Sequence, residues 1–312
     1  MEAILLTKIT MLVGVAGSGK STYAEELKKQ GAVVVSSDAI RGEMWGDENE
    51  QKEPQKVFQE CHRRIKANLR AGKWVVFDAT NLSARRRESF LRDIGKLADC
   101  KECVVFITPP DTIMYRMKTR ERKVPVEVIY KQLCGFQCPL EYEGWDCIRV
   151  KWDDTCVYES MDDYILECYR TPNDNKNHST NTVADHIDAS SLYFAANYGY
   201  RKDIEVDLIV EALKYHDIGK PQTKVFRNSK GEPTKDAHYY GHQNYSAYIY
   251  LMTAFNTVEN KDDVDRVCKI ANLIQFHMEH FFRSPESLEK FYKKTGLGRE
   301  LAIIHKCDMA GH

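Results

Sequence analysis

The 312-residue chain lacks any run approaching the roughly 18 consecutive apolar residues that suggest a membrane span, so none is expected. It lacks a charge excess: 45 Lys and Arg stand against 46 Asp and Glu, which excludes a histone-like protein that coats a polyanion. The balance holds in both parts, with 27 basic against 27 acidic residues through Arg170 and 18 against 19 after it, so neither part is a basic tail. Internal repeats and low-complexity tracts are missing, which excludes a repeat architecture. The ten cysteines lack the setting of a disulfide framework. Met1–Val15 is apolar, but Lys8 interrupts it and a glycine loop follows, so it reads as an opening strand and not a leader. The expectation is a cytoplasmic protein with reduced thiols. Cys100-x2-Cys103 and Cys134-x3-Cys138 have zinc-like spacing. Cys103, however, opens the strand-like Val104–Ile107, where cysteine serves as a small core residue, and tetrahedral zinc needs four convergent ligands. Histidine is nearly absent from the first half. Of ten, only His62 precedes residue 170; the others are His178, His186, His216, His238, His242, His277, His280, His305 and His312.

What is present is ordinary for a folded chain, 43% hydrophobic and 29% charged, and the length suits two domains at about 100–200 residues each. Strand patterns at Ile9–Gly14, Ala32–Ser36, Trp74–Asp78, Cys103–Thr108 and Cys147–Lys151 alternate with helical patterns at Lys20–Gln30, Pro54–Ala71, Ala84–Ala98 and Pro125–Phe136. That alternation predicts an α/β domain with a parallel sheet flanked by helices. Met161–Tyr169 reads as its closing helix, and the polar Arg170–Asn177 reads as a linker. Beyond it the strand signals stop. Helical periodicity covers Thr182–Asn197, Ile204–His216, Asn244–Phe255, Val264–His280 and Leu297–Met309, which predicts an all-α domain. The expected domains are residues 1–170 and 171–312.

Gly14-Val15-Ala16-Gly17-Ser18-Gly19-Lys20-Ser21-Thr22 satisfies GxxxxGK(S/T) in full, between a predicted strand and a predicted helix. Glycines let the loop turn its N–H groups toward phosphate oxygens, and the helix N-terminus adds partial positive charge. Lys20 reaches the β/γ-phosphates and the Ser21 hydroxyl suits Mg²⁺. ATP or another NTP is the expected ligand. Three further features point to phosphoryl transfer. Asp38 follows the second strand and suits a general base, and Arg41, one helical turn on, suits a phosphate of the acceptor; capping of the helix is the plainer role for Asp38. Asp78 opens Asp78-Ala79-Thr80-Asn81 after the third strand, with Arg85, Arg86 and Arg87 close behind. Arg116 and Arg120, four apart and followed by Arg122 and Lys123, fit a basic lid on one helix face. The guanine-recognition NKxD sequence is missing, which argues against a GTPase.

This constellation resembles the kinase module of the phage-type 5′-polynucleotide kinases over about residues 8–150, including Pro139–Asp146, PLEYEGWD. The resemblance implies phosphate-loop roles for Lys20 and Ser21, Asp38 as general base and Arg41 on the acceptor phosphate. It implies transfer-site roles for Asp78, Arg116 and Arg120. The DATN element is one residue longer than the DTN form of those enzymes.

In the second half, adjacent His216 and Asp217 end an apolar helix, and an adjacent His and Asp can hold one cation while the carboxylate reaches a second. Asp263-Val264-Asp265-Arg266-Val267 carries the letters of a haloacid-dehalogenase motif, but it follows the polar Glu259–Asp262 and enters a helix. With His186 thirty residues before His216 and Asp308 near the end, the order His…His-Asp…Asp resembles the HD phosphohydrolase superfamily over about residues 178–312. HDIGKPQT and YYGHQNYSA bring it closest to HD domains attached to tRNA nucleotidyltransferases. The resemblance implies His186, His216, Asp217 and Asp308 as core ligands, His242 and His277 as ligands of a second ion, and Lys220 on a substrate phosphate. His280 is the alternative to His277, and His178, His238, His305 and His312 take no part. Mixed His and carboxylate ligation suits Mn²⁺, Fe²⁺, Ni²⁺ or Co²⁺.

Together the halves suggest an enzyme of RNA or DNA ends, adding phosphate to a 5′-OH and removing a 3′-phosphate or opening a 2′,3′-cyclic phosphate. The order of modules is the reverse of bacterial end-repair enzymes, where the HD domain comes first. The alternative is a nucleoside or small-metabolite kinase fused to an HD nucleotidohydrolase.

Overall fold

In a computed structural model, residues 7–50, 52–120, 123–152, 161–175, 179–255 and 261–311 are described; Arg122, the linker end at residues 176–177, His178, His312 and the segment 259–260 lie outside these ranges. The chain divides into two units, one of Met1–Gln132 with Pro139–Asp153, the other of Leu133–Cys138 with Asp154–His312.

The first unit follows the expected alternation: β1 (Lys8–Val13), α1 (Lys20–Lys29), β2 (Val33–Ser36), α2 (Ser37–Trp45), α3 (Pro54–Arg70), β3 (Val75–Asp78), α4 (Ala84–Ile94), β4 (Cys100–Ile107), α5 (Pro110–Thr119), α6 (Val126–Cys134) and β5 (Cys147–Trp152). The strands form one sheet in the order β2-β3-β1-β4-β5, all parallel. Ile9–Val13, Val75–Phe77 and Cys103–Ile107 are buried on both faces, which is why they read as nearly continuous apolar runs. α3 shows the complementary pattern. Val57, Cys61, Ile65 and Leu69 recur every fourth residue and are its buried stripe, and Pro54 opens it where no N–H partner is needed. Leu12, Ala24, Leu27, Val76, Val104 and Phe106 pack between α1 and the sheet. Cys103 is a core residue of β4.

The second unit holds α7 (Met161–Arg170), α8 (Val183–Tyr198), α9 (Val206–Tyr215), α10 (Lys220–Thr223), β6 (Lys224–Arg227), β7 (Pro233–Tyr239), α11 (His242–Ala254), α12 (Lys261–Phe276), α13 (Glu279–Phe282), α14 (Pro285–Thr295) and α15 (Gly298–Ala310). It is helical, as expected, with one addition: β6 and β7 pair as an antiparallel hairpin. Apart from Ala237 its strand residues are exposed or half-buried, so the sequence carried no apolar alternation to announce them. α8 begins where its capping box begins. The Thr182 hydroxyl accepts from Asp185 N at 3.1 Å, and the Asp185 carboxylate accepts from Thr182 N at 2.9 Å.

The division falls at Asp153 and Asp154, earlier than the expected 170. α7 groups with the second unit, where Tyr164 and Cys168 are buried and the helix packs on α8. The polar segment after it is hydrogen-bonded within the unit: Asn173 Nδ2 donates to Thr180 Oγ1 at 2.9 Å, and Lys224 Nζ pairs with Asp174 at 2.7 Å. Pro, Asn and Asp mark a loop, and composition alone does not distinguish a loop inside a domain from one between domains.

Candidate phosphate site and candidate metal centre

Gly14–Gly19 joins β1, the central strand, to α1 at the C-terminal edge of the sheet. Gly17 (φ 84°) and Gly19 (φ 91°) adopt the left-handed conformation that glycine tolerates. A Cβ on Gly17 would also lie 2.6 Å from Met117 Cε of α5, so the end of that side chain would have to move. Lys20 is buried, and its Nζ donates to Val15 O at 2.7 Å and lies 3.4 Å from Ser18 Oγ. Burial pulls the ammonium down to about 8, against the opposing pull of Asp78 and Asp38. Ser21 and Thr22 are exposed on the first turn of α1.

The neighbouring strands bring the carboxylates. Ser36 at the end of β2 is in register with Asp78 at the end of β3. Ser36, not Asp38, caps α2, since its hydroxyl accepts from Ala39 N at 3.4 Å. Asp38, released from capping, accepts a hydrogen bond from Arg41 Nη1 one turn on. Arg116 Nη1 donates to Gly17 O at 3.3 Å. Arg120 is not on the same helical face, because α5 ends at Thr119 and Arg120 is extended (ψ 148°), yet its charge is near enough to depress Lys20. The DATN turn braces the loop from below: Asn81, at φ 48°, donates from Nδ2 to Leu12 O at 2.8 Å, and Thr80 O accepts from Gly14 N at 3.0 Å.

In the second unit four imidazoles converge on one carboxylate. His186 comes from α8, His216 and Asp217 from the end of α9, His242 from the start of α11, His277 from the end of α12 and Asp308 from α15. All six are at most 5% exposed. Asp217 Oδ2 lies 3.2 Å from His186 Nε2 and 3.4 Å from His216 Nε2; Oδ1 lies 3.1 Å from His242 Nε2 and 3.7 Å from His277 Nε2. Asp308 Oδ1 completes the first group at 3.0 Å from His186 Nε2. The ligand-capable atoms form two groups that share Asp217: His186, His216, Asp217 and Asp308, then Asp217, His242 and His277.

The other ring nitrogens fix the tautomers. Nδ1 of His186, His216, His242 and His277 faces the carbonyls of Gly311, Leu213, Tyr239 and Ile274 at 2.7–3.0 Å. A carbonyl only accepts, so each Nδ1 carries the proton and, in the neutral ring, each Nε2 presents a lone pair. Two pairs of such nitrogens then face each other, His186 with His216 and His242 with His277, each at 3.3 Å. Facing lone pairs repel unless a cation or a proton lies between them. The donor set of each pair would suit one divalent cation, and Asp217 belongs to both groups. Burial pushes His186 down, but the Asp217 and Asp308 carboxylates outweigh it and raise the ring to about 9; burial and the neighbouring His216 push His277 down to about 3. Burial opposes ionisation of Asp217, yet Lys220, His216 and the facing imidazoles hold it well below the usual carboxylate range. Lys220 Nζ is 2.7 Å from Asp217 Oδ2, so this lysine is an ion-pair partner of the central carboxylate. His280 stands apart, hydrogen-bonded to Tyr292 Oη at 2.7 Å and stacked on His305.

Residues 9–139 match the family described as AAA domain. With the sheet order above, the first unit has a P-loop kinase fold and the second is helical. No curated protein matches the chain. Among solved structures, two of the Pnkp1/Rnl/Hen1 RNA repair complex are each 26% identical, with TM-scores of 0.34 and 0.38. The aligned parts are 38% and 42% of this chain, and 41% and 44% of those chains, less than half their length. A fungal RNA kinase is 16% identical over 50% of this chain and 42% of its own, with a TM-score of 0.37.

Sequence reasoning missed the supports of both sites. Arg87 is fully buried against Glu143 at 2.6 Å, and its Nη1 donates to Asn81 O and Leu82 O at 3.0 and 2.8 Å, which fixes the DATN turn. Trp145 Nε1 donates to the same carboxylate at 3.0 Å, so PLEYEGWD serves the turn from a distance. Gly311 was also missed. Its carbonyl holds His186, and a Cβ there would lie 2.3 Å from Ser190 Oγ. No sequence pattern flags a glycine for the carbonyl that it presents.

Proposed function

We propose that the chain is a bifunctional enzyme of nucleic-acid ends. The first unit transfers the γ-phosphoryl group of ATP to a 5′-OH, and the second removes a 3′-phosphate or opens a 2′,3′-cyclic phosphate. The observation that carries the second activity is Asp217 set between two histidine pairs whose Nε2 lone pairs converge.

In the first unit, the loop N–H groups and Lys20 hold the β/γ-phosphates, and the Ser21 hydroxyl is the site for Mg²⁺. Asp38 accepts the proton of the attacking hydroxyl, and Arg41 holds Asp38 in place and faces an acceptor phosphate. Arg116 and Arg120 neutralise charge on the phosphoryl group in flight, and Asp78 offsets the Lys20 charge from below.

In the second unit, His186, His216, Asp217 and Asp308 would hold one cation, and Asp217, His242 and His277 a second. Bound divalent metal supplies an acidic water and draws charge from phosphoryl oxygens; Mn²⁺, Fe²⁺, Ni²⁺ and Co²⁺ all suit this donor set. The carbonyls of Leu213, Tyr239, Ile274 and Gly311 keep the imidazoles aimed inward. Lys220 neutralises Asp217 and meets the substrate phosphate.

The test offers one oligonucleotide with a 5′-OH and a 3′-phosphate, ATP with Mg²⁺, and Mn²⁺ or Ni²⁺, and inspects both ends. A new 5′-phosphate and a lost 3′-phosphate are expected. Preferential phosphorylation of free nucleosides would instead favour a metabolite kinase joined to a nucleotidohydrolase.

A further inference from the structure

The β6–β7 hairpin departs from the rest of the second unit in exposure and in charge. It grows from the metal centre at both ends. Its first strand follows Lys220 through α10, and its second ends at Tyr239, whose carbonyl holds His242 Nδ1 at 2.8 Å. Val225 and Tyr240 are 39% and 46% exposed. Val225 is in register with His238, and the His238 ring stacks on Tyr240, interplanar angle 4°, which makes a flat aromatic surface two residues from a candidate ligand. Arg227, Lys230 and Lys235 are exposed, and none has a carboxylate partner among the described residues. Against Lys224, Arg227, Lys230 and Lys235 the hairpin carries two carboxylates, Glu232 and Asp236, so it remains net basic; the Glu232 carboxylate accepts from Asn228 Nδ2 at 2.6 Å. Asn228 Oδ1 also accepts from the N–H groups of Lys230 and Glu232 at 2.9 and 3.0 Å, so the tip is ordered without a ligand.

We infer that this hairpin is the platform for a single-stranded polynucleotide whose terminal phosphate enters the metal centre. Bases stack on ring faces with little regard to sequence, and unpaired cations beside a ring follow the phosphate backbone. A few such contacts grip one end of a strand, which agrees with a chain that has no overall basic charge. The choice of which end is bound rests on the phosphohydrolase reading above. The competing role for these cations is to keep the hairpin's edges from pairing with another chain.

Binding of internally labelled oligouridylate and oligothymidylate with phosphates at both ends, which the kinase cannot use as acceptors, separates these roles in the full chain. Fluorescence anisotropy is read across a salt series. Replacing Arg227, Lys230 and Lys235 by alanine is expected to reduce the slope of log affinity against log salt by about 2, at about 0.7 per phosphate contact. Tyr240→Ala is expected to weaken binding roughly tenfold, within the range of one lost stack, and Tyr240→Phe to restore it. Unchanged slope and affinity in all of these variants would overturn the platform and leave edge protection. Release of the 3′-phosphate is assayed in the same samples. Variant-sensitive binding without release would sink the phosphohydrolase reading alone, and release with variant-insensitive binding would sink the platform alone.

Discussion

Gly14 and Lys20 are six residues apart in one loop, whereas His186 and Asp308 are 122 residues apart and still approach to 3.0 Å. The phosphate site is made chiefly of backbone: a strand end, a tight turn and a helix start, with one lysine added. The candidate metal centre is made of side chains from five helices or their ends, all buried, with each of the four imidazoles aimed by a carbonyl. A site of the first kind is assembled by local geometry and fails when a loop residue changes. A site of the second kind exists only once the whole unit is packed, so it inherits every constraint of that packing. The sharpest way to break this contrast is a reciprocal pair of knockouts. His216→Ala or Asp217→Ala is expected to abolish metal-dependent phosphate release and leave 5′ phosphorylation intact. Lys20→Ala is expected to do the reverse. Both activities are assayed on each variant with the same oligonucleotide, and phosphate release that survived loss of Asp217 would remove the metal centre from the reaction.

The contrast has an exception in the first unit. Arg87 and Glu143, 56 residues apart and wholly buried, tie the DATN turn to PLEYEGWD. Removing one partner leaves a buried charge uncompensated. Arg87→Ala or Glu143→Ala is therefore expected to destabilise the protein by about 3–5 kcal/mol, read from denaturant unfolding. An apolar pair of matching volume, Arg87→Met with Glu143→Leu, is expected to recover much of that loss. If the single changes cost less than about 1 kcal/mol, the turn holds itself and the phosphate site is as local as its motif suggests.

The same distinction governs what could be read from residue order. The five strands, the glycine loop and the carboxylates at the strand ends were legible, because a parallel sheet forces its apolar runs and its functional edge into sequence order. The six residues proposed as ligands were named through motif order, and the structure brings them together, with His277 in the cluster and His280 on Tyr292. The hairpin was not legible, because exposed strands need no apolar alternation. Nor was the place of α7, whose burial of Tyr164 and Cys168 is with the second unit. Three of the four imidazole anchors are local, the carbonyl lying three residues back at Leu213, Tyr239 and Ile274. The fourth, Gly311 for His186, spans 125 residues and leaves no trace in a motif.

That fourth anchor supplies a finer test. Gly311→Ala would place a Cβ 2.3 Å from Ser190 Oγ and 3.0 Å from His186 Nδ1, so the carbonyl must move away from the ring. Disturbing such an outer partner typically costs about 10–100-fold in metal affinity. The same loss is expected here, measured by titrating Mn²⁺ into the metal-free protein, with 5′ phosphorylation unaffected. Ala at a position with a local anchor's neighbour, such as Lys214→Ala, exposed on α9, serves as the control for nonspecific loss.

The smallest effect tests the phosphate site through its charge. Burial brings Lys20 down from 10.5 to about 8, so the free protein begins to lose this proton just above neutrality. Bound phosphates favour the ammonium, and the complex keeps a proton that the free loop gives up. By linkage, nucleotide affinity should be flat below about pH 8. It should then fall by at most about tenfold per unit as pH rises, until the raised value in the complex is reached. Folding responds in the opposite direction. Between about 8 and 10.5 the unfolded chain holds a proton that the folded loop has released, so this lysine adds stability as pH rises across that window. Calorimetric titration with a non-hydrolysable ATP analogue from about pH 7 to about pH 9 measures the binding arm. A profile that stayed level past pH 8 would mean that Lys20 keeps its proton in the free protein, and that the loop holds its cation more favourably than burial alone allows.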